Sequence, residues 1–387
     1  MVDRSTNMTK IQKYTKKDGS TAYEFNVYLG KTDNGKNIYR RRRGFTNKKQ
    51  AQIALSKIIE EYENNGLSNK PTVITFKDLY DKWLAQHRLN VKPSTIALNR
   101  RFVEGHVLPY LGDTKLASIT VIQCQDLVNK WFKQGYKQYN YFRKVTAQIM
   151  RYGVAMEIMD SNPMSKTILP RAKEEEKKLQ YYTKDELAHF FDCLKAFGNF
   201  KQYAFFRLLA FSGARKSELL SLQWKDIDLA AKSVSIGKTL ALDENTKIII
   251  QTPKTASSTR SISLDTETVK VLAKWRAVQR TDYLNLGFNT SNDDQYIFTN
   301  ERNELYYPQV VNDWLKYLIK KYDLKVISPH AFRHTHASLL LQSGVPVKEV
   351  SERLGHKDVK ITLEIYTHVM PEEAEKTADK FANFVGF

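Results

Sequence analysis

The sequence predicts a multidomain chain with a small α+β N-terminal domain, an all-α middle domain, and a mostly α-helical C-terminal domain that contains a small antiparallel sheet. The chain has 387 residues, which is more than one hydrophobic core usually serves. Polar or charged stretches at 66–73 and 171–178 have the composition of linkers. Apolar residues alternate near the N-terminus and follow helical spacing through most of the remainder. The expected domain boundaries are 1–70, 74–165 and 178–387.

The overall charge indicates a polyanionic partner. Lys and Arg number 61 and Asp and Glu 42, which gives a formal net charge of +19. Nucleic acid is the commonest such partner, and a membrane surface is the alternative. No apolar run approaches the roughly 20 residues that span a bilayer, and the N-terminus lacks the apolar stretch of a signal peptide. The only cysteines, Cys124 and Cys193, form no CxxC pair, so we expect a cytoplasmic protein without a structural zinc.

The first 70 residues form a small basic unit, which contains 15 Lys and Arg but only 7 Asp and Glu. In residues 23–29, aromatic or aliphatic residues alternate with small or polar ones, as in a strand. Residues 33–35 (Asp-Asn-Gly) are typical of a hairpin turn. The second strand, 37–45, contains four consecutive arginines, Arg40, Arg41, Arg42 and Arg43. Because successive strand residues face opposite ways, guanidinium groups lie on both faces, and one face must be open to solvent or phosphate.

A helix predicted at 47–64 follows this ribbon, with Ile53, Ile58 and Ile59 as its apolar residues. A β-ribbon backed by a helix is one way to read a DNA groove. A basic hairpin that is merely solvated is the alternative.

The rest of the chain is predicted to be mainly helical. In the middle domain, helical spacing predicts four helices, which start near 75, 93, 119 and 140. In the C-terminal domain, three short β-like runs at 233–236, 247–251 and 260–263 interrupt the helical pattern.

Two motifs in the C-terminal domain contain cations that suit a phosphate. Arg215 follows Gly213 just before an apolar helical pattern, where free backbone amides also favour an anion. Glu218 lies three residues further on and is either a partner for a cationic side chain or a surface acid. Lys254 lies in a polar turn between two predicted strands, where a lysine is usually only solvated.

Two later motifs add histidines and a tyrosine. His330 and Arg333 are three residues apart, so they share one helical face and together can grip and protonate a phosphate. His330 and His334 also have the spacing of a helical zinc pair, which leaves a metal site as an alternative, although no acidic residue lies between them. Gly355 has the position of a helix C-cap before His356, and Tyr366 follows ten residues later on a predicted helix.

Taken in this order, these motifs resemble the tyrosine recombinase family, the integrases of phages and integrative elements. The strings Ser-Gly-Ala-Arg-Lys-Ser-Glu at 212–218 and His-Thr-His-Ala-Ser at 334–338 carry the resemblance further. It covers the C-terminal half closely and extends more loosely to the middle and N-terminal parts. These would be the core-binding and arm-binding domains.

The resemblance implies a site-specific recombinase that cleaves and rejoins DNA through a 3′-phosphotyrosyl bond at Tyr366. The implied catalytic residues are Arg215, Lys254, His330, Arg333, His356 and Tyr366, with Glu218 supporting a cation and Arg40–Arg43 binding DNA. Arg215 and Arg333 would bind the phosphate, His330 would transfer a proton, and Lys254 would protonate the leaving 5′-hydroxyl. No metal or other cofactor is expected.

The same resemblance implies the partners. They are double-stranded DNA attachment sites and a homotetramer on synapsed DNA, with an excisionase and a DNA-bending host factor as possible additions, and no membrane. The apolar tail at 378–387 is expected to dock on a neighbouring protomer. A type IB topoisomerase and a catalytically silent DNA-binding repressor are the alternatives.

Overall fold

The computed structural model describes residues 10–16, 19–31, 37–65, 74–171, 180–252, 259–369 and 384–386. Two compact units are present, one of Met1–Asp78 with Asp113–Ser118 and the other of Leu79–Gly112 with Ile119–Phe387. The hairpin tip at 33–35, the linker 66–73, most of the linker 171–178, Lys254 and most of the tail lie outside the described residues. The three domain boundaries stay predictions.

The N-terminal unit contains the expected antiparallel ribbon and helix. Strands β1 (Gln12–Thr15), β2 (Thr21–Lys31) and β3 (Asn37–Phe45) form one sheet in the order β1-β2-β3, and helix α1 spans Lys48–Asn65. Phe25 and Val27 of β2 pack against buried α1 residues, which are Ala51, Leu55 and Ile58.

The prediction of which α1 residues face the core was partly wrong. Ile53 and Ile59 are exposed, whereas Ile58 is buried. The buried positions 51, 55 and 58 follow the i, i+4, i+7 spacing of one helical face, and Ile53 lies well outside that stripe. The small Ala51 contributes to the core where a larger residue was expected.

The arginines of β3 occupy both faces of the sheet, as predicted. Arg41 and Arg43 pair with Asn26 and Glu24, on the face opposite to Phe25. Arg40 and Arg42 lie on the other face, and all four residues are exposed. The Arg41 guanidinium donates to the Glu24 carboxylate at 2.8 Å.

The helices of the middle part begin close to the predicted positions. They are α2 (Phe76–Arg88), α3 (Pro93–His106), α4 (Leu108–Leu111), α5 (Val121–Lys133) and α6 (Tyr139–Ala155). Local capping explains the starts: Thr120 forms a capping box at α5, and Pro93 occupies the first turn of α3. The one-turn helix α4 was not predicted.

The C-terminal part is mostly helical and is organised around one buried helix. Its helices are α7 (Lys184–Phe197), α8 (Phe200–Ser212), α9 (Lys216–Leu219), α10 (Thr266–Asn285), α11 (Gln309–Tyr322), α12 (Ala331–Gln342), α13 (Val347–Leu354) and α14 (Lys360–Val369). Helix α8 is buried on several sides, and its Phe205 and Phe206 contact rings of neighbouring elements, including Phe332 of α12. This packing fixes α12 against α8. No helix among these or the other described residues is long and apolar enough to cross a membrane.

Five short strands accompany these helices. They are β4 (Ile227–Asp228), β5 (Ser233–Ile236), β6 (Thr239–Leu242), β7 (Ile248–Gln251) and β8 (Arg260–Ser263). The predicted runs are confirmed as β5, β7 and β8, whereas β4 and β6 were missed. The strands form an antiparallel β4-β5-β8 sheet and a separate β6-β7 hairpin.

Gly213 ends α8 in a left-handed conformation, with φ of 66°. A Cβ there would lie 2.6 Å from His336 Cδ2 and 2.7 Å from Leu354 Cδ2. Gly198 ends α7 with φ of 79°, but its Cβ would meet nothing within 4 Å. The two glycines therefore form a matched pair that separates backbone strain from steric crowding.

We expect Gly213→Ala to lower the free energy of unfolding by about 2–5 kcal/mol, because left-handed strain and overpacking add. Gly198→Ala should cost only the strain, about 1–2 kcal/mol. Urea unfolding of both variants measures the difference. Equal losses of unfolding free energy in the two variants would show that the side chains of His336 and Leu354 move aside to accommodate the added methyl group at little cost.

Candidate active site

Arg333 joins two of the segments that carry predicted site residues. It lies in the first turn of α12 and is 2% exposed. Its guanidinium donates to the carbonyl oxygen of Gly213 at 2.9 Å and to that of Leu354 at 2.6 Å. These bonds hold the segments leading to Arg215 and to His356 beside one another.

The buried charge of Arg333 favours an anion nearby. Burial, and then the positive charges of Arg215 and Arg260, lower the pKa of Arg333 to about 9. The guanidinium is still charged at neutral pH. A phosphate beside these cations would relieve their mutual repulsion and the desolvation of Arg333.

Glu218 is the counter-charge already present in this cluster. It is 3% exposed and accepts hydrogen bonds from the Arg215 backbone N–H at 2.9 Å and from Arg215 Nη1 at 2.7 Å. Arg260 Nη2 donates at 3.0 Å to Oε2, the oxygen that also accepts the Arg215 backbone N–H. Burial alone would raise the pKa of this carboxyl, but Arg260 and then Arg215 outweigh burial, so the pKa lies below its usual range. Glu218 thus holds Arg215 in a fixed orientation.

His330 immediately precedes α12, three residues before Arg333. The residue as a whole is exposed to solvent, while its ring packs edge-on against His334 with the centroids 4.9 Å apart. Partial desolvation of the ring, then His334, Arg333 and Arg215, lower the pKa of His330 to about 4. His330 is therefore neutral at pH 7, the form that accepts a proton, and a phosphate bound beside the arginines would raise its lowered pKa.

His356 follows Gly355, which ends α13 in a left-handed conformation with φ of 67°. Its Nδ1 lies 2.8 Å from the hydroxyl oxygen of Thr362 in α14. Burial, followed by the charges of Arg333 and Arg215, lowers the pKa of His356 to about 4. A neutral imidazole so placed can donate a hydrogen bond to an anion held by the arginines.

Tyr366 lies on α14, one helical turn after Thr362, and is described only by its backbone. Lys254 falls outside the described residues, and contacts are described for residues before and after its segment. At one end Lys92 Nζ donates to the Thr252 carbonyl oxygen at 2.6 Å. At the other end Arg260 binds Glu218.

Two arginines that the sequence patterns did not single out complete the cluster. Arg260 begins β8, and its Nε donates to the carbonyl oxygen of Arg353 at 3.0 Å. Arg353 in turn donates to His336 Nε2 at 3.0 Å and to the Ser263 carbonyl oxygen at 2.9 Å. These contacts fasten α13 to β8. The sequence carried no local signal for Arg260, because its contact with Glu218 depends on the tertiary fold.

Across the parts of the chain that the structure describes, no three His, Cys, Asp or Glu side chains are grouped to hold a metal ion. The alternative zinc pair, His330 and His334, therefore finds no third ligand among them.

Comparison with known proteins identifies the family. Residues 180–373 match the phage integrase family, 75–132 match the phage integrase N-terminal SAM-like domain, and 10–62 match an arm DNA-binding domain. A tyrosine recombinase XerC-like protein of Caldanaerobacter subterraneus is 31% identical over 95% of this chain and 97% of its own length. The chain therefore belongs to the phage integrase family, and it is a tyrosine recombinase.

Solved structures show the same fold. The Tn1549 transposon integrase in complex with a circular intermediate DNA aligns with a TM-score of 0.65 and 22% identity, over 78% of this chain and 99% of that one. A lambda integrase tetramer bound to a Holliday junction aligns with a TM-score of 0.54 and 17% identity, over 91% and 94%. The predicted multidomain fold, with its N-terminal sheet and two helical parts, is confirmed.

Proposed function

We propose that this chain cleaves and rejoins double-stranded DNA at specific attachment sites, with Tyr366 as the nucleophile, and so integrates and excises a phage or other mobile element. The observation that carries the proposal is one cluster of Arg215, buried Arg333 and two neutral histidines, His330 and His356. The first turn of α14, the helix of Tyr366, contacts this cluster through Thr362.

The arginines act on the phosphodiester. Its non-bridging oxygens gain negative charge as the tyrosine oxygen attacks phosphorus, and guanidinium groups bind that charge more strongly in the transition state. Arg333 keeps donors for this task, since two of its five N–H groups are bonded to carbonyls. Glu218 keeps Arg215 aligned.

Proton transfer is assigned to His330 and Lys254. A tyrosine hydroxyl has an ordinary pKa of about 10 and needs a base at neutral pH. His330 is neutral and accepts that proton as the new O–P bond forms. The P–O bond to the 5′ oxygen breaks, and Lys254 protonates that oxygen, leaving a 3′-phosphotyrosine and a free 5′-hydroxyl. Attack by another 5′-hydroxyl reverses these steps and reseals the strand.

The N-terminal sheet is proposed to bind arm-type DNA. Arg41 and Arg43 share the face away from α1, while Arg40 and Arg42 flank the opposite face. All four are exposed and can reach phosphates or base edges.

Replacing Arg40, Arg41, Arg42 and Arg43 with Ala should weaken arm-site binding. The slope of log affinity against log salt should also fall by about 0.9 for each phosphate that the variant no longer neutralises. Binding titrations over a range of salt concentrations measure both quantities. Lys195→Ala, which removes an exposed lysine of α7, is the control. Unchanged affinity and slope in the fourfold variant would show that the ribbon is only solvated.

The assembly is proposed to be a homotetramer on synapsed DNA that passes through a Holliday junction. An excisionase and a DNA-bending host factor are further partners in this proposal, and the apolar tail at 378–387 docks on a neighbouring protomer. The proposed reaction takes place in the cytoplasm of a bacterial host, on the nucleoid.

A trapping assay tests the function. The protein is incubated with a nicked duplex that carries the attachment site located in the DNA flanking its gene, and detergent-resistant adducts are counted. A recombinase forms adducts on this duplex and not on an unrelated plasmid. Adducts on any plasmid would indicate a topoisomerase, and no adduct at all would indicate a silent DNA-binding protein.

A further inference from the structure

The hydroxyl of Thr362 does not bond to the carbonyl oxygen four residues earlier, as the hydroxyls of two other buried helical threonines do. Thr146 donates to the carbonyl oxygen four residues earlier, that of Phe142, at 2.8 Å, and Thr335 donates to that of Ala331 at 2.9 Å. Thr362 is also fully buried in a helix, yet its hydroxyl oxygen lies 2.8 Å from His356 Nδ1. This threonine therefore contacts a side chain six residues earlier in sequence, on the segment that follows α13.

The direction of this hydrogen bond follows from burial. Among the described residues, Nδ1 of His356 is the one side-chain or backbone group bonded to the Thr362 hydroxyl. If Nδ1 carried the proton, the hydroxyl would accept it and its own O–H would be buried without an acceptor, which is costly. If the hydroxyl donates to Nδ1, both groups are satisfied. The proton of the neutral ring then lies on Nε2.

We infer that Thr362 is a positioning residue, which donates to His356 Nδ1 and thereby fixes the ring with its proton on Nε2, where it can donate to the scissile phosphate. This inference rests on the proposed function, and it adds that the neutral ring of His356 donates to the phosphate held by the arginines. Thr362 and Tyr366 are four residues apart and share one face of α14. The same hydroxyl therefore couples the orientation of His356 to the helix that carries the nucleophile.

The direction of donation has a consequence that can be measured without DNA. A hydroxyl that donates to Nδ1 stabilises only the neutral ring, so its removal should raise the pKa of His356. A hydroxyl that accepts from Nδ1–H would favour the charged ring, and its removal should lower that pKa. The charged and titratable groups that act on His356 are Arg333, Arg215, His334 and Arg260. All of them are unchanged in a Thr362 variant.

The test is an NMR titration of full-length protein labelled with ¹⁵N-histidine, with His356→Asn used to assign the signal. The unsubstituted protein should show Nε2 protonated and Nδ1 unprotonated, and Thr362→Val should raise the pKa of His356. Thr362→Ser keeps the hydroxyl and should restore the original pKa. Thr146→Val, which removes a buried helical hydroxyl in α6, should leave the pKa unchanged and controls for general loosening.

Cleavage of the nicked attachment-site duplex is the second readout. Partners that orient histidines at metal sites contribute about 10- to 100-fold to activity, and a similar loss is expected for Thr362→Val. Thr362→Ser should retain most of the rate. A lowered or unchanged pKa of His356 in Thr362→Val overturns the inference. So does a raised pKa with an unchanged cleavage rate, since the proton position would then not matter for the reaction. If the proposed function itself is wrong, the unsubstituted protein forms no covalent adduct with the duplex, and this outcome is distinct from the two above.

Discussion

Replacing Tyr366 with Phe is expected to abolish covalent attachment to DNA while leaving DNA binding intact. The substitution removes one oxygen, the atom that would form the bond to phosphorus. The contacts that determine affinity come mainly from cations on the phosphate backbone and do not depend on this hydroxyl. Trapping on the nicked duplex measures attachment, and a gel-shift titration measures binding.

Tyr317→Phe provides the matched control for this prediction. Tyr317 lies on α11 in the same part of the chain, is 55% exposed, and has no role in the proposed chemistry. It should form adducts at the unsubstituted rate. Adducts that persist in Tyr366→Phe would mean that another side chain is the nucleophile.

The second large effect is expected from Glu218→Gln, which removes a buried negative charge from between two cations. Arg215 and Arg260 both donate to this carboxylate, and the Arg260 side chain is 7% exposed. Removing one partner of a buried ion pair typically costs about 3–5 kcal/mol, because the other charge stays buried without compensation. Cleavage should fall as well, since Arg215 would no longer be aligned with the phosphate.

Urea unfolding at pH 7 measures the stability loss, with Glu244→Gln as the control. Glu244 also binds two arginines, Arg88 and Arg100, but this cluster is partly open to solvent. Such surface pairs contribute about 0–1 kcal/mol. Equal losses in the two variants would contradict the structural role assigned to Glu218.

The difference in the free energy of unfolding between the native chain and Glu218→Gln should depend on pH. The pKa of Glu218 is lower in the folded protein than its ordinary value. The stability that this carboxylate contributes is therefore present above its unfolded pKa of about 4.3, and is lost as pH falls through the folded value. The difference in stability between the native chain and Glu218→Gln should narrow as the pH is lowered below about 4.

Features with a local cause were predicted well from the sequence. Helix α3 begins where Pro93 fits the first turn, and α13 ends where Gly355 adopts a left-handed conformation. Strand β3 was predicted with its observed bounds, because its length and alternation are local properties. The apolar face of α1 was less predictable: Ala51 is buried and Ile53 exposed because the sheet beneath, not the side chain's size, selects the face.

Features with a tertiary cause were missed. The sequence suggested that Arg333 grips a phosphate, but not that two of its donors would bind the carbonyls of Gly213 and Leu354, which lie far apart in sequence. Arg260 was passed over because it follows a polar turn, where an arginine is usually solvated. Its bond to Glu218 depends on β8 lying beside α9, and no local pattern encodes that proximity.

Whether Tyr366 becomes joined to a 3′ phosphate can be read from the chemical identity of the trapped bond. The covalent complex formed on a nicked attachment-site duplex can be digested with nuclease and protease and analysed by mass spectrometry. We predict a peptide that contains Tyr366, with a nucleotide attached to the tyrosine oxygen through its 3′ phosphate. A nucleotide attached to another residue would show that Tyr366 is not the nucleophile, and one attached through a 5′ phosphate would show that the DNA is cleaved with the opposite polarity.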